Sequence, residues 1–271
     1  MTATVRLAVL GDPLTFTLSP ALHRAGLEAL GLDGGSEALR VPQTRLGETL
    51  ARLGGAGYRG VNLTHPLKRA ALSHVTGASD AARRACSVNT VSFDAGGMHG
   101  DSTDGAGFLD LLGELGCTAH GACVVLLGAG GAARSVGLAL LEAGAARVTA
   151  WARRPGEASA AWEAIPGVSV VGWDDGAGRS ALAGADLVVN ATPLTGAEEP
   201  CAVGRIPRVA RVVDLVYGLE VTPWVQAARA GGLQAVDGLG LLVFQARRSL
   251  ALWTGSEVPV EPLARAVGWP R

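Results

Sequence analysis

The sequence predicts an α/β protein with two α/β domains, a mainly parallel mixed sheet in the first and a Rossmann-type sheet in the second. Short apolar strands alternate with amphipathic helices, an order that produces parallel sheets with right-handed crossovers. A second series of strands and helices begins at an apolar strand over 123–127, which is followed by a glycine-rich loop and a helix. A chain of 271 residues, 48% hydrophobic and 17% charged, is long enough for two cores.

The first α/β series is predicted from apolar runs separated by turn residues. Ser19 is expected to cap the first helix, with Pro20 in its first turn and an end near Gly31. A turn at 95–97 joins the fourth strand to a returning strand. The remaining expected elements are strands over 6–10, 37–41, 60–64 and 87–93 and helices over 45–53 and 108–115.

Lys68 follows the third strand and is the only lysine among 23 lysine and arginine residues. Arginine keeps its proton in proteins, whereas a lysine amine can be tuned to exchange one. Asn62 and Thr64 are expected on one side of the strand end, where open α/β sheets bind ligands. Lys68 is therefore a candidate catalytic residue, the alternative being a solvated lysine at a helix start.

Asp104 precedes a helix expected near 106–115, where it could serve only as a cap. Its place at the join of the two series also allows it to meet Lys68. A lysine and a carboxylate are the minimum pair for moving a proton during carbonyl–alcohol interconversion. The 5 histidines and 4 cysteines lack metal-ligand spacing, so no metal site is predicted and hydride transfer is the reaction class that fits.

The loop after strand 123–127 fits the Gly-x-Gly-x-x-Gly/Ala dinucleotide pattern between a strand and a helix. Gly128 is expected to form the tight turn and Gly130 to let the backbone approach a pyrophosphate at the helix start. The alternative is a glycine-rich loop in a glycine-rich protein. The next strand, over 147–152, ends at Arg153 and Arg154 without the acidic residue of an NAD site. Two guanidinium groups there indicate a 2′-phosphate and so NADP, the alternative being two solvated arginines.

The rest of the second series comprises strands and helices of the same kind. They are expected as strands over 186–190, 209–213 and 233–236, helices over 222–230, capped by Thr222, and 239–252, and a final helical turn or two.

Charge, apolar runs and cysteine content limit the partners and the compartment that the sequence predicts. The net charge is −1, without basic blocks, so neither nucleic acid nor an anionic membrane is expected as a partner. No apolar run approaches the ~20 residues of a membrane span, and the first residues lack a signal-peptide layout. The cysteines are interpreted as reduced thiols of a cytoplasmic protein, either a monomer or a homodimer, acting on a small-molecule substrate.

Several motifs in fixed order resemble the shikimate dehydrogenase family along nearly the whole chain. They are Leu18-Ser19-Pro20-x-x-His23, the run from Gly60 to Lys68, Val88-Asn89-Thr90, Thr103-Asp104, the loop 128–133, Asn190-Ala191-Thr192-Pro193, Asp214 to Tyr217 with Thr222-Pro223, Gly238-Leu239, Gln245-Ala246 and Trp253-Thr254-Gly255.

The resemblance implies a substrate-binding domain over 1–103, completed by helices in 239–271, and an NADP-binding domain over 104–238. It implies reversible NADP-dependent reduction of 3-dehydroshikimate to shikimate, with Lys68 and Asp104 handling the proton. The implied substrate-binding residues are Thr17, Ser19, Asn62, Thr64, Asn89, Tyr217 and Gln245. The implied cofactor-binding residues are Gly128, Ala129, Gly130, Gly131, Ala132, Arg153, Arg154, Thr192 and Gly238, the last near the nicotinamide.

The chain departs from the family pattern at several of these motifs. Phe16-Thr17 stands where the family has His-Ser, Cys86-Ser87 where it has Gly-Ala, Ser102 where it has Asn, and Ala152 where it has Asn. Thr17 favours, as an alternative, a paralogue acting on quinate or an aminoshikimate. The altered loops favour, as a further alternative, a non-catalytic regulator that binds NADP or a metabolite.

Overall fold

The computed structural model describes residues 4–173, 175–194 and 199–271 of the chain. The chain divides into two compact units, each with its own six-stranded sheet: Met1–Gly107 with Leu242–Pro270, and Phe108–Leu241 with Arg271. These boundaries fall inside helices Thr103–Glu114 and Leu239–Thr254, whereas the sequence analysis placed them at 103/104 and 238/239. The predicted α/β fold class is confirmed.

The first unit contains six strands and the helices that cover them. The strands are β1 (Val5–Gly11), β2 (Gly34–Arg40), β3 (Gly60–Leu63), β4 (Gly77–Ala78), β5 (Thr90–Asp94) and β6 (Gly97–Asp101). The helices are α1 (Ser19–Ala29), α2 (Leu46–Gly55), α3 (Leu67–Ala70), α4 (Asp80–Arg84) and α5 (Thr103–Glu114), with 3-10 turns at Gln43–Arg45 and Ala71–Ser73.

The sheet of the first unit is mixed, in the order β2-β1-β3-β5-β6-β4. β1 pairs in parallel with β2 and β3, whereas β5 is antiparallel to both β3 and β6. Every residue of β3 is buried, although its alternating sequence indicates a strand with one polar face. The polar residue Asn62 is buried in this strand because it forms its hydrogen bonds with buried protein groups rather than with water.

One helix-start signal in this unit acts differently from its sequence prediction. Leu18, not Ser19, occupies the N-cap position of α1, and the Ser19 amide donates to Thr17 Oγ1 at 3.2 Å. The prediction that Ser19 caps α1 is therefore wrong, because the Thr17 hydroxyl accepts the backbone hydrogen bond at the start of this helix. Pro66 is the N-cap residue of α3.

The second unit has six strands, all parallel, in the order β12-β11-β10-β7-β8-β9. Its strands are β7 (Cys123–Leu127), β8 (Arg147–Ala152), β9 (Val168–Gly172), β10 (Leu187–Asn190), β11 (Arg211–Asp214) and β12 (Gln234–Val236). Its helices are α6 (Gly131–Glu142), α7 (Pro155–Trp162), α8 (Gly176–Ala183) and α9 (Pro223–Ala230), with a 3-10 turn at Val203–Arg205. Helix α10 (Leu239–Thr254) continues into the first unit, to which α11 (Val260–Val267) belongs.

The central strand β7 of the second unit pairs with β10 on one side and β8 on the other, so the direction of winding reverses beside it. The carboxyl ends of strands at such a reversal are where doubly wound sheets bind ligands. Thr222 caps α9 as predicted, because its hydroxyl accepts the Val225 amide hydrogen bond. Within the described residues, no helix is both long and apolar enough to span a bilayer.

Candidate active site

An ion pair between Lys68 and Asp104 lies in the first unit. Lys68 Nζ donates to Asp104 Oδ2 at 2.6 Å, and the side chains are 19% and 7% exposed. Lys68 comes from α3, which is separated from the end of β3 by three residues, and Asp104 comes from the first turn of α5. The positive end of the α5 dipole favours a carboxylate at that position. Helix α5 starts at Thr103, so Asp104 lies inside the helix rather than ahead of it.

Asn89 holds the second oxygen of the Asp104 carboxylate. Its Nδ2 donates to Asp104 Oδ1 at 2.7 Å and to Gln245 Oε1 at 3.3 Å, while its Oδ1 accepts the Thr103 amide at 2.7 Å. Each carboxylate oxygen therefore has its own donor, and the carboxylate has a defined orientation. Lys68 uses one of its three N–H donors on Asp104. The partial exposure of Lys68 leaves the ammonium accessible to a bound molecule.

Asn62 lies behind this pair in a buried position. Its Nδ2 is 3.0 Å from Asn89 O, Thr90 Oγ1 and Ser249 Oγ, and its Oδ1 is 2.9 Å from His23 Nε2. The two amide hydrogens and the carbonyl oxygen of Asn62 thus all have protein partners. These contacts give Asn62 a part in arranging its neighbours, and its predicted contact with substrate stays a prediction.

His23 is fully buried at the far end of the same network. Burial lowers its pKa to about 4, and the hydrogen bond with Asn62 only partly offsets this effect. The ring is therefore neutral at pH 7, with Nε2–H donating to Asn62 Oδ1 and Nδ1 accepting from Ser36 Oγ at 2.8 Å. The Trp253 ring packs edge-on against it, with ring centroids 5.2 Å apart.

Three other candidate substrate residues follow the carboxyl ends of β1 and β3, which are paired strands. Thr17 Oγ1 and Ser19 Oγ form a pair of their own at 3.3 Å. Thr64 packs beside Gly11, where an added Cβ would lie only 2.5 Å from Thr64 Cγ2. Glycine at position 11 is thus required for the close approach of the two strand ends.

The glycine loop of the second unit connects β7 to the amino end of α6. Gly128 has φ +113°, and a Cβ there would lie 3.0 Å from the Ala191 carbonyl, so this turn requires glycine. A Cβ at Gly130 would meet no atom within 4 Å, which leaves open space over the helix start. Gly130 is the N-cap residue of α6. Of the other candidate residues in this loop, Ala129 precedes the cap, and Gly131 and Ala132 are the first two residues of the helix. This open cradle of backbone N–H groups fits a pyrophosphate.

The two arginines after β8 are both exposed, but their surroundings differ. Arg154 Nη1 lies 3.0 Å from Glu157 Oε2 across the first turn of α7. An exposed pair of this kind contributes at most about 1 kcal/mol and opens easily. Arg154 therefore shares its charge with Glu157, and Arg153 is the better placed of the two to serve as an anion clamp.

Asp214 joins the turns that follow β10 and β11. It accepts hydrogen bonds from Asn190 Nδ2 at 2.8 Å, Thr222 Oγ1 at 2.7 Å and the Val216 amide at 3.0 Å. Burial raises the pKa of its carboxyl group, and these hydrogen bonds oppose the rise. Asn190 in turn accepts from the Thr192 hydroxyl at 2.6 Å. Asp214 thus holds in place the candidate cofactor residue Thr192.

Tyr217 and Gly238 lie close to this junction. Tyr217 is half-buried, three residues after Asp214. The Gly238 amide donates to Val216 O at 2.9 Å, and a Cβ on Gly238 would lie 2.3 Å from Leu215 O. Only glycine permits this contact between the two turns.

Sequence reasoning missed the buried hydroxyl groups of Thr90, Thr103 and Ser249, which contact Asn62 or Asn89. Thr90 and Thr103 stand in quoted motifs, but nothing in the sequence connects them to Ser249. His23 is fully buried, which supports a structural role for it. Within the described residues, no group of three His, Cys, Asp or Glu side chains could hold a metal ion.

A doubly wound nucleotide-binding sheet in one unit and a partly buried lysine–carboxylate pair in the other are the features of a dehydrogenase that acts on a CH–OH group. Comparisons with known proteins narrow this class. A family model described as the shikimate dehydrogenase substrate binding domain matches residues 9–91, and one described as the shikimate 5′-dehydrogenase C-terminal domain matches residues 238–267.

Individual relatives cover nearly the whole chain. Shikimate dehydrogenase (NADP(+)) of Dinoroseobacter shibae is 38% identical over 265 residues, 95% of each chain. That of Thermus thermophilus is 42% identical over 255 residues, 93% of each chain. A solved structure of the Thermus thermophilus shikimate 5-dehydrogenase, in complex with NADP(H) and shikimate, superposes with a TM-score of 0.88 at 37% identity, covering 98% of this chain and 99% of that one. The chain belongs to the shikimate dehydrogenase family.

Proposed function

We propose that the protein catalyses the reversible NADP-dependent reduction of 3-dehydroshikimate to shikimate. The observation that carries the proposal is the Lys68–Asp104 ion pair of 2.6 Å, whose carboxylate is also held by Asn89. The relatives that match over the whole chain are named for this activity and for NADP(+), which supports both the reaction and the cofactor.

The chain's own residues handle the proton at the reacting oxygen. NADPH supplies the hydride for the carbonyl carbon when it is bound. In the reduction, the Lys68–Asp104 pair gives a proton to the oxygen that becomes the hydroxyl group. In the oxidation, the pair takes that proton back. Asn89 keeps the carboxylate pointed at Lys68 in both directions, so the pair is preorganised before substrate arrives.

Hydroxyl and amide groups supply the remaining contacts in this proposal. A ring that bears several hydroxyl groups and a carboxylate needs many hydrogen-bond partners of both kinds. The residues proposed to bind it are Thr17, Ser19, Asn62, Thr64, Asn89, Tyr217 and Gln245. The unit that holds most of them is proposed as the substrate-binding domain.

The second unit is proposed to bind NADP. Gly128, Gly130 and the start of α6 would hold the pyrophosphate, and Arg153, with Arg154, would hold the 2′-phosphate. Thr192 and Gly238 would line the nicotinamide side, where the Asp214 junction orders the backbone. The four cysteines are reduced thiols, which supports the proposal that the protein works in the cytoplasm. We propose that it acts there as a monomer or a homodimer.

A steady-state assay tests the function. Purified protein is offered shikimate or quinate with NADP or NAD, and NAD(P)H formation is followed by absorbance. We expect the highest kcat/KM with shikimate and NADP. Faster turnover of quinate would overturn the substrate assignment in favour of the second candidate, which the extra methyl group of Thr17 favours. No turnover of either substrate by folded, NADP-binding protein would support the regulator instead.

A further inference from the structure

Three buried hydroxyl groups meet between Asn62 and Asn89. Thr90 Oγ1 and Ser249 Oγ are 2.8 Å apart, Thr103 Oγ1 and Ser249 Oγ are 3.2 Å apart, and the two threonine hydroxyls are 3.3 Å apart. Each comes from a different element, namely β5, α5 and α10. None of the three residues is more than 4% exposed. We refer to Thr90, Thr103 and Ser249 as the hydroxyl cluster.

Ser249 has a defined hydrogen-bond direction within this cluster. The backbone carbonyl of Gln245, 3.0 Å away, can only accept, so it takes the single hydroxyl hydrogen of Ser249. The lone pairs of Ser249 Oγ then accept from Asn62 Nδ2 at 3.0 Å and from a threonine hydroxyl. Ser249 is thus the acceptor at which the amide from β3 and the hydroxyl from β5 converge.

The hydroxyl cluster determines which way the Asn89 amide faces. Asn89 Oδ1 accepts from the Thr103 amide at 2.7 Å and from Thr103 Oγ1 at 3.2 Å, so the oxygen side of the amide is held by donors. The nitrogen side then faces Asp104 Oδ1 at 2.7 Å. A reversed amide would place two oxygen acceptors in contact and remove a donor from the carboxylate.

We propose that Ser249 is a positioning residue for the reaction. From α10 it orders the hydroxyl cluster, which keeps the Asn89 amide donating to Asp104 and so holds the carboxylate beside Lys68. The inference rests on the proposed function, because it assigns the proton transfer to Lys68 and Asp104. Ser249 itself touches neither of these two residues and acts through Asn89.

A purely structural role for Ser249 makes a different prediction. Many helical serines and threonines only bond the carbonyl four residues earlier, which satisfies their own hydroxyl. Thr254, on the same helix, does so with Leu250 O at 2.8 Å. Thr254→Ala is therefore a matched control that removes a back-bonded hydroxyl outside the hydroxyl cluster.

The first measurement compares Ser249→Ala and Thr254→Ala with the unaltered enzyme in shikimate oxidation. Alanine is smaller than serine and favours helix, so Ser249→Ala is expected to fold. We expect kcat to fall about tenfold, the typical effect of losing one buried hydrogen bond, with KM for shikimate and Kd for NADP within about twofold. Thr254→Ala should retain the unaltered kcat. Equal kcat values for the two variants would overturn the proposal.

The second measurement does not depend on catalysis. Hydrogen exchange of the side-chain amides of Asn62 and Asn89, followed by NMR with ¹⁵N-labelled asparagine, should be at least about tenfold faster in Ser249→Ala and unchanged in Thr254→Ala. Unchanged exchange in Ser249→Ala would overturn the proposal even if kcat fell. If the unaltered enzyme did not oxidise shikimate, the proposed function would fail, and the exchange rates alone would still decide whether Ser249 orders the two amides.

Discussion

The buried histidine His23 makes the stability of the first unit depend on pH. Burial lowers its pKa from 6.5 to about 4 in the folded protein. The unfolded chain therefore binds more protons than the folded chain between these two values. The stabilisation is fully present above pH 6.5 and is lost as the pH falls towards 4.

The size of this effect follows from the two pKa values. Each pH unit between them changes the free energy of unfolding by up to about 1.4 kcal/mol. Integration from about pH 7.5 to about pH 4.5 gives a loss of about 2.5 kcal/mol from His23 alone. This is a large share of the stability of an ordinary domain.

The assay is urea denaturation at several pH values, followed through the indole N–H signal of Trp253 in NMR spectra. This indole donates to Val91 O within the first unit, so its signal reports on that unit. In His23→Gln, the free energy of unfolding should lose about 2.5 kcal/mol less than in the unaltered protein over this range, because only His23 titration is removed. The exposed His99→Gln serves as control and should follow the unaltered protein. Parallel curves for the unaltered protein and His23→Gln would refute the reasoning.

Three further predictions concern the catalytic pair and the cofactor. Lys68→Ala should lower kcat for shikimate about 100- to 10,000-fold and leave the Kd of NADP unchanged, and an unaltered kcat would exclude Lys68 from proton transfer. Arg153→Ala should raise the Kd of NADP far more than that of NAD. It should also raise the Kd of NADP more than Arg154→Ala does, since Arg154 is paired with Glu157. Equal losses of affinity for both cofactors would contradict the phosphate clamp. Gly130→Ala should lower Tm less than Gly128→Ala does, since a φ of −78° suits alanine and one of +113° does not. Gly130→Ala should also weaken NADP binding at least about tenfold. Unchanged NADP affinity in Gly130→Ala would show that the cofactor does not approach that backbone.

Two strands of the second sheet could be predicted to the residue. The expected strands over 123–127 and 147–152 agree with Cys123–Leu127 and Arg147–Ala152, whereas those over 186–190 and 209–213 lie at Leu187–Asn190 and Arg211–Asp214. The first two are mainly apolar runs between turn residues, as buried parallel strands are. Helices α7 and α8 and the edge strand β9 were not predicted. The sequences of α7 and α8 are rich in alanine, glycine and serine and have weak periodicity, so packing determines these helices, whereas β9 has the strand-like sequence Val-Ser-Val-Val-Gly, which was overlooked. Gly178 of α8, for example, allows that helix to approach Trp151, with a Cβ position 3.2 Å from its indole.

The candidate site was predictable where it follows strand ends and was not where it depends on long-range packing. Lys68 and Asp104 were expected to meet because each stands beside a strand or helix end with a recognisable motif. Asn62 and Ser249, in contrast, are 187 residues apart in the chain. They form a hydrogen bond only because most of α10 belongs to the first unit. No local pattern in α10 distinguishes Ser249 from any other polar helix position, so its contacts had to come from the structure.

The structure also changes what the single lysine means. An arginine at position 68 could neutralise Asp104 as well as lysine does, and its planar guanidinium could do so with two hydrogen bonds. Burial of the carboxylate is thus no reason to keep a lysine in a chain whose other basic side chains are all arginine. What arginine cannot do is release a proton to a substrate oxygen and recover it. We propose that lysine is kept here for proton exchange, while the hydrogen bonds of Asn89 hold the partner carboxylate in place.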